Sequence, residues 1–249
     1  MLSRRNVLIF GSSCLACPAL AVGDFPRSEP PAATPGAATA PGCGFDRVDK
    51  LHMTRVNLAG SGSRTADQVI ARESVFLNRY FGVSPRWQYH DDDGHDEALT
   101  LRDANGVYIT IGKSLIEHEI AANSEEWSSV LIGILAHEWA HAFQYDHGLQ
   151  ERAYLWETHA DYMAGWYLGT REAAESVQLN VAAFARALAK RANRSGYFDE
   201  DSHGSPAQRT TAMYAGVEFG RNDYVTGYRP NVATAAGAGY AYVKQLRRS

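Results

Sequence analysis

His137 and His141 stand four residues apart in the run His137-Glu138-Trp139-Ala140-His141, directly after the apolar segment Ile132 to Ala136. An α-helix puts residues i and i+4 on the same face, one turn apart. The spacing therefore predicts a helix, and the apolar approach predicts that it enters from the core. Two imidazoles and a carboxylate beside a core are costly unless something pairs with them. A single zinc ion, about 2.0–2.1 Å from each imidazole nitrogen, does so. Glu138 is next around the helix, where its carboxylate can reach a metal-bound water without displacing it. Zinc lowers the pKa of such a water to about 7, which makes Glu138 the expected general base and later the donor to a leaving amine. Nine His and fourteen Glu in 249 residues give about 0.02 chance matches to His-Glu-x-x-His, so composition does not account for the run.

Catalytic zinc takes three protein ligands and keeps one position for water. Three residues are candidates for the third ligand. His147 lies six residues past His141, the metzincin spacing, but Gln144 stands where metzincins have the glycine on which the chain turns. Glu157 and Asp161 lie four apart in Trp156-Glu157-Thr158-His159-Ala160-Asp161 and share a face of the next helix. If Glu157 is the ligand, Asp161 sits one turn on and can accept a hydrogen bond from a ligating histidine, which fixes its tautomer. Ala160, Ala164 and Gly165 around the pair point to close helix–helix packing, and Glu157 is favoured.

Around these two helices the periodicity predicts an α+β fold, mostly helical, with a small sheet ahead of the zinc helix. A helix is expected from Arg64 to Phe81, with Val69, Ile70, Val75, Phe76 and Tyr80 as its apolar positions. Trp87 to Tyr89 predicts a short strand. Ala98 to Leu101 and Val107 to Ile111 flank Asn105-Gly106 as a β-hairpin. The strand Val107 to Ile111 is a candidate edge for pairing with extended substrate. Further helices are expected over Trp127 to Tyr145, Glu151 to Leu168, Arg171 to Ala192 and Ser205 to Phe219, with a short one over Tyr240 to Arg247. Ser205 is the expected N-cap of its helix and Pro206 the first helical residue. The acidic cluster His90 to Asp96 lacks the spacing of an EF-hand loop, so it is expected to be a solvated turn.

The first residues are expected to lie outside the fold. Arg4-Arg5, an apolar stretch from Val7 to about Val22 and Ala19-Leu20-Ala21 have the basic, apolar, small layout of a cleaved signal peptide over residues 1–21. Ser3 to Leu8 also resembles a twin-arginine export signal. Residues 22–44 are rich in Pro, Ala and Gly and predict a linker, and the folded domain is expected over 45–249. Cys14 and Cys17 fall in the signal, which leaves Cys43 alone and excludes an internal disulfide. No membrane span is expected after signal cleavage. A formal charge of −4 gives no reason to expect a nucleic-acid partner.

Three segments together resemble the neutral zinc metallopeptidase family of bacteria: His137 to Gln144, Glu157 to Gly165, and His203-Gly204-Ser205-Pro206-Ala207-Gln208-Arg209. The family pattern is His-Glu-x-x-His-x-x-Gln, then Glu-x-x-Ala-Asp-x-x-Ala-Gly, then His-Gly-Ser/Thr-x-x-Gln-Arg. The resemblance spans roughly Val107 to Gly220. More distantly, the CAAX prenyl protease and HtpX-like peptidases share the same logic. The chain departs from the family in lacking its cysteines before the zinc helix. The resemblance implies a zincin-like, gluzincin-type site with Glu157 as the third ligand. It also implies that His203 can donate to the oxyanion of a tetrahedral intermediate and that Arg209 can hold Asp161, Glu157 or a substrate group. Tyr162 is a weaker oxyanion candidate. The expectation is thus an exported, periplasmic or secreted zinc metallopeptidase acting on peptide or protein. The alternatives are a non-peptidase zinc-binding or chaperone-like module and a hydrolase of a non-peptide amide.

Overall fold

A computed structural model of the chain describes residues 56–149, 153–192, 203–225 and 231–247. The expected signal peptide, linker, Cys43 and domain start at Phe45 lie outside the described residues. In chain order the elements are β1 Asn57–Leu58, α1 Arg64–Phe81, β2 Arg86–His90, β3 Ala98–Asp103, β4 Gly106–Gly112, α2 Lys113–Asn123, α3 Trp127–Asp146, α4 Ala153–Glu175, α5 Val181–Ala192, α6 Pro206–Val225 and α7 Val232–Leu246. The class is α+β: mostly helical, with one small mixed sheet of order β1-β2-β4-β3. Among the described residues no helix is long and apolar enough to cross a membrane.

α3 and α4 form the centre. Every residue from Ser129 to Gln144 is buried, as is every one from Ala153 to Gly169. A helix apolar on all sides has neighbours on all sides. The sheet and α1 lie against α3, α5 packs between α3 and α6, and α7 closes over α4. The bounds of α1 match the expected ones, with Ser63 Oγ accepting from Ala66 N at 3.3 Å and Gly82 ending the helix at φ +69°. Its buried face, however, is Ala66, Ile70, Glu73, Leu77 and Phe81, and Val75 is exposed. Glu73 is buried there because Arg171 donates to it at 3.2 and 3.3 Å and Tyr167 donates its hydroxyl hydrogen.

The sheet corrects one expectation. The hairpin pairs Asp103 with Gly106, and β2 then pairs in parallel with β4 on its other side. The strand Val107 to Ile111 is therefore interior and cannot offer an edge. The outer strand beside α3 is β3. Other expected boundaries also shift. Arg171 belongs to α4, which runs to Glu175, and the chain breaks at Ser176 (φ +52°) before Asn180 Oδ1 caps α5 by accepting from Ala183 N at 2.9 Å. α7 begins at Val232, not Tyr240, with Asn231 Oδ1 accepting from Thr234 N at 2.9 Å.

The acidic cluster is only partly solvated. Asp92 and Glu97 are buried. Asp92 accepts from Ser114 N at 2.8 Å and Ser114 Oγ at 2.6 Å, and so caps α2, whose own N-cap Gly112 has no side chain. Burial alone would raise the Asp92 pKa, but the Ser114 hydroxyl and N–H, with the Glu97 N–H, hold it below the ordinary 3.8.

α4 and α6 approach closely because glycines line both sides. A Cβ on Gly165 would stand 1.9 Å from Met213 O, and one on Gly216 would stand 1.9 Å from Tyr162 O. Gly169 and Gly220, one turn further on each helix, would bring a Cβ to 2.2 Å from Val217 O and 2.4 Å from Trp166 O. Only a residue without Cβ fits at these four positions.

Two outcomes follow. Gly216→Ala is expected to destabilise the fold by about 3 kcal/mol or more, since backbone must move to admit the methyl; chemical denaturation measures this. Asp92→Ala is expected to cost about 2 kcal/mol at neutral pH, from a lost cap and two stranded donors. A carboxyl with a depressed folded pKa contributes fully above its unfolded value of about 3.9 and loses that contribution as pH falls through the folded value. The difference between wild type and Asp92→Ala should therefore persist from neutral pH to about pH 5 and shrink below pH 4.

Candidate metal centre

The spacing of the two histidines on α3 brings their Nε2 atoms to 3.0 Å of each other. Glu157 reaches them from α4, with Oε2 at 3.4 Å from His137 Nε2 and Oε1 at 3.6 Å from His141 Nε2. All three side chains are buried, and they form the one group of three metal-binding donors found among the described residues. Tetrahedral coordination at about 2.0–2.1 Å separates neighbouring donors by about 3.3–3.4 Å. The three observed separations bracket that value, so the donor set fits a metal ion. Glu157 Oε1 is buried, with His203 Nδ1 at 3.5 Å and His141 Nε2 at 3.6 Å facing it.

Charge points the same way. Glu138, Glu157 and Asp161 are all fully buried, and the fully buried guanidinium of Arg209 donates to Glu157 and Asp161. With neutral imidazoles these three carboxylates and Arg209 sum to a formal charge of −2, a sign that favours a cation at the donor group. Burial opposes charge on His137, but Asp161 and Glu157 overcome it and push the pKa up to about 9. Burial pushes His141 down to about 3, with Glu157 opposing and the neighbouring His137 adding to the shift. Burial works to raise Glu157, yet His141, His137, His203 and Arg209 hold it well below the carboxylate range.

The surrounding contacts orient the donors. His137 Nδ1 lies 3.0 Å from Asp161 Oδ1. Arg209 Nε donates to Asp161 Oδ2 at 2.7 Å, and its Nη2 donates to Asp161 Oδ1 at 2.9 Å and Glu157 Oε2 at 3.3 Å. Arg209 therefore holds the two carboxylates. Its place comes from the start of α6, where Ser205 and Gln208 cap each other: Gln208 N donates to Ser205 Oγ at 3.1 Å and Ser205 N to Gln208 Oε1 at 3.0 Å.

His203 precedes that cap and is partly exposed, with Nδ1 3.5 Å from Glu157 Oε1. Gly204 turns the chain there at φ +91°, where a side chain would press on Tyr154 and Thr158. Glu138 lies on the same turn as His137 but outside the donor group, and Thr100 Oγ1 on β3 shares its one hydrogen between Glu138 Oε2 at 2.7 Å and Glu138 O at 2.9 Å. The structure leaves His147 out of the cluster. That ring stacks on Phe143, its Nδ1 is 3.0 Å from Phe143 O, and its side chain is 46% exposed. Tyr162 is a core residue, seated on Gly239 between α4 and α7.

Thr100, Gln144 and His159 were not among the expected site residues. His141 Nδ1 lies 2.6 Å from Gln144 Oε1, and Gln144 Nε2 lies 3.0 Å from His159 Nδ1. Gln144 stood in a matched segment, which was the available signal; Thr100 offered none, because its partner is 38 residues away.

No family model, curated protein or solved structure matches this chain.

Metal binding should be visible as stability. With zinc as probe at about 100 times its Kd, the unfolding free energy should rise by about 2.7 kcal/mol, measured by chemical denaturation with and without chelator. Glu157→Ala is expected to abolish that gain and His147→Ala to preserve it. The opposite pattern would return His147 to the ligand set.

Proposed function

We propose that this chain is a zinc-dependent metallopeptidase with a zincin-like, gluzincin-type domain. The observation that carries the reading is the division of labour on one helical turn. Among the described residues three donors converge, from His137, His141 and Glu157, while Glu138 stands beside them, in contact with Thr100. Structural zinc sites close with four protein ligands; catalytic ones stop at three. The His2Glu set suits zinc among the common divalent ions.

Bound zinc would supply Lewis acidity to a carbonyl and a water of lowered pKa. The chain's own residues do the rest. Glu138 accepts the proton of the attacking water and passes it to the leaving amine. Thr100, donating at 2.7 Å, aims the Glu138 carboxylate. His203, partly exposed beside Glu157, donates to the oxygen that gains charge at the scissile carbonyl. Asp161 orients His137, and Arg209 is a positioning residue that fixes Asp161 and Glu157 together.

The outer edge of β3 has no strand partner among the described residues and carries Thr100. An extended peptide adding to that edge would run past Glu138, which makes peptide or protein the substrate class. The signal-like residues 1–21 make the place of action periplasmic or extracellular.

Glu138→Gln is expected to keep zinc affinity within a few-fold and to lower peptide hydrolysis by about 10²–10⁴-fold. A peptide-library cleavage assay, run beside zinc titration, measures both. Retained hydrolysis in Glu138→Gln would remove Glu138 as the base. No cleavage by a zinc-loaded wild type would favour a non-peptide amide substrate or a binding role.

A further inference from the structure

Two main-chain carbonyls near the site can only accept hydrogen bonds, and they determine the direction of every contact between them. Ala236 O, on α7, lies 3.0 Å from His159 Nε2. That nitrogen must therefore carry the hydrogen, which leaves His159 Nδ1 with a lone pair. Gln144 Nε2 lies 3.0 Å from His159 Nδ1 and 2.9 Å from Trp156 O. Both amide hydrogens are then used, one on each acceptor, and the amide cannot be the other way round. Gln144 Oε1 is consequently the atom facing His141 Nδ1 at 2.6 Å. His141 must donate from Nδ1, and its Nε2 lone pair is turned toward His137 and Glu157.

We propose that Gln144 and His159 form a positioning relay that selects the metal-binding tautomer of His141 and makes the seating of α7 part of the metal centre. The relay joins three helices: α3 supplies His141 and Gln144, α4 supplies His159, and α7 supplies the terminal acceptor. Gln144 and His159 are both buried, at 1% and 2% exposure, so water does not replace a lost partner. α7 is seated independently by Gly239, where a Cβ would stand 2.5 Å from the Tyr162 ring. If α7 lifts, His159 loses the acceptor that holds its tautomer, and Gln144 loses one of the two contacts that hold its amide. Metal binding at His141 and docking of α7 are thereby coupled. The coupling rests on the metal reading of His137, His141 and Glu157, and it is independent of peptide hydrolysis.

The test uses the full chain with 15N-labelled histidine. Long-range 15N–1H spectra of the metal-free protein are expected to show His141 as the Nδ1–H tautomer; an Nε2–H tautomer in wild type overturns the relay without recourse to any variant. Gln144→Met keeps the volume and removes the amide. It is expected to let the Nε2–H tautomer of His141 appear and to weaken zinc binding, read by competition with a chelating dye, by roughly 10–100-fold. His159→Phe keeps the ring. It is expected to abolish the slowing of amide exchange in residues 232–246 that zinc produces in wild type. A pure Nδ1–H His141 with unchanged zinc affinity in Gln144→Met overturns the selection. Amide exchange in 232–246 that ignores zinc in wild type overturns the coupling. A wild type that binds no zinc overturns the metal reading and the coupling built on it, while the tautomer in the metal-free chain still decides whether Gln144 selects it.

Discussion

The buried guanidinium of Arg209 holds Asp161 through two hydrogen bonds and Glu157 through a third. Much of the site depends on that contact. Without it, two carboxylates one turn apart on α4 would repel each other in a medium that screens them poorly. With it, Asp161 points at His137 Nδ1 and Glu157 points at both Nε2 atoms. Removing one partner from a buried ion pair commonly costs about 3–5 kcal/mol, because the remaining charge stays buried.

The backbone geometry that permits this contact lies in the glycines of α4 and α6. Gly165, Gly169, Gly216 and Gly220 let the helices meet main chain to main chain. A wider spacing would draw Arg209 away from its two acceptors. The fold therefore couples packing to electrostatics: the small residues set the distance, and the distance sets the charge pairing. On the opposite side of α3, the sheet supplies Thr100 from its outer strand, so Glu138 is aimed by a different layer from the one that holds the donors.

What could be read from the residues alone tracks how local each cause is. Spacing alone puts His137 with His141 and Glu157 with Asp161, each pair on one helix face, while it leaves His147 beside Glu157 as a candidate third ligand. α1 is bounded by its own Ser63 and Gly82. The helix α2 was not expected, because its cap is Asp92, 22 residues before the Ser114 it serves. The break between α4 and α5 has no Gly or Pro to mark it, only Ser176 in a left-handed conformation and the cap Asn180. α7 was read too short because its first half is Ala and Gly, weak in helical pattern but suited to close packing on Tyr162. The edge strand was misplaced because the pairing of β2 with β4 is non-local. His159 sits between Glu157 and Asp161 in sequence yet points away from them, to a carbonyl 77 residues on. Its part in the site could not be read from its neighbours.

The central claim is that His137, His141 and Glu157 hold one zinc ion with a fourth position left for water. X-ray absorption at the zinc edge of the full-length, zinc-loaded chain tests it most directly. The account predicts about four nitrogen and oxygen neighbours near 2.0–2.1 Å, with the outer-shell scattering of two imidazoles and no sulfur. A spectrum with a sulfur shell, or one without imidazole scattering, would contradict it.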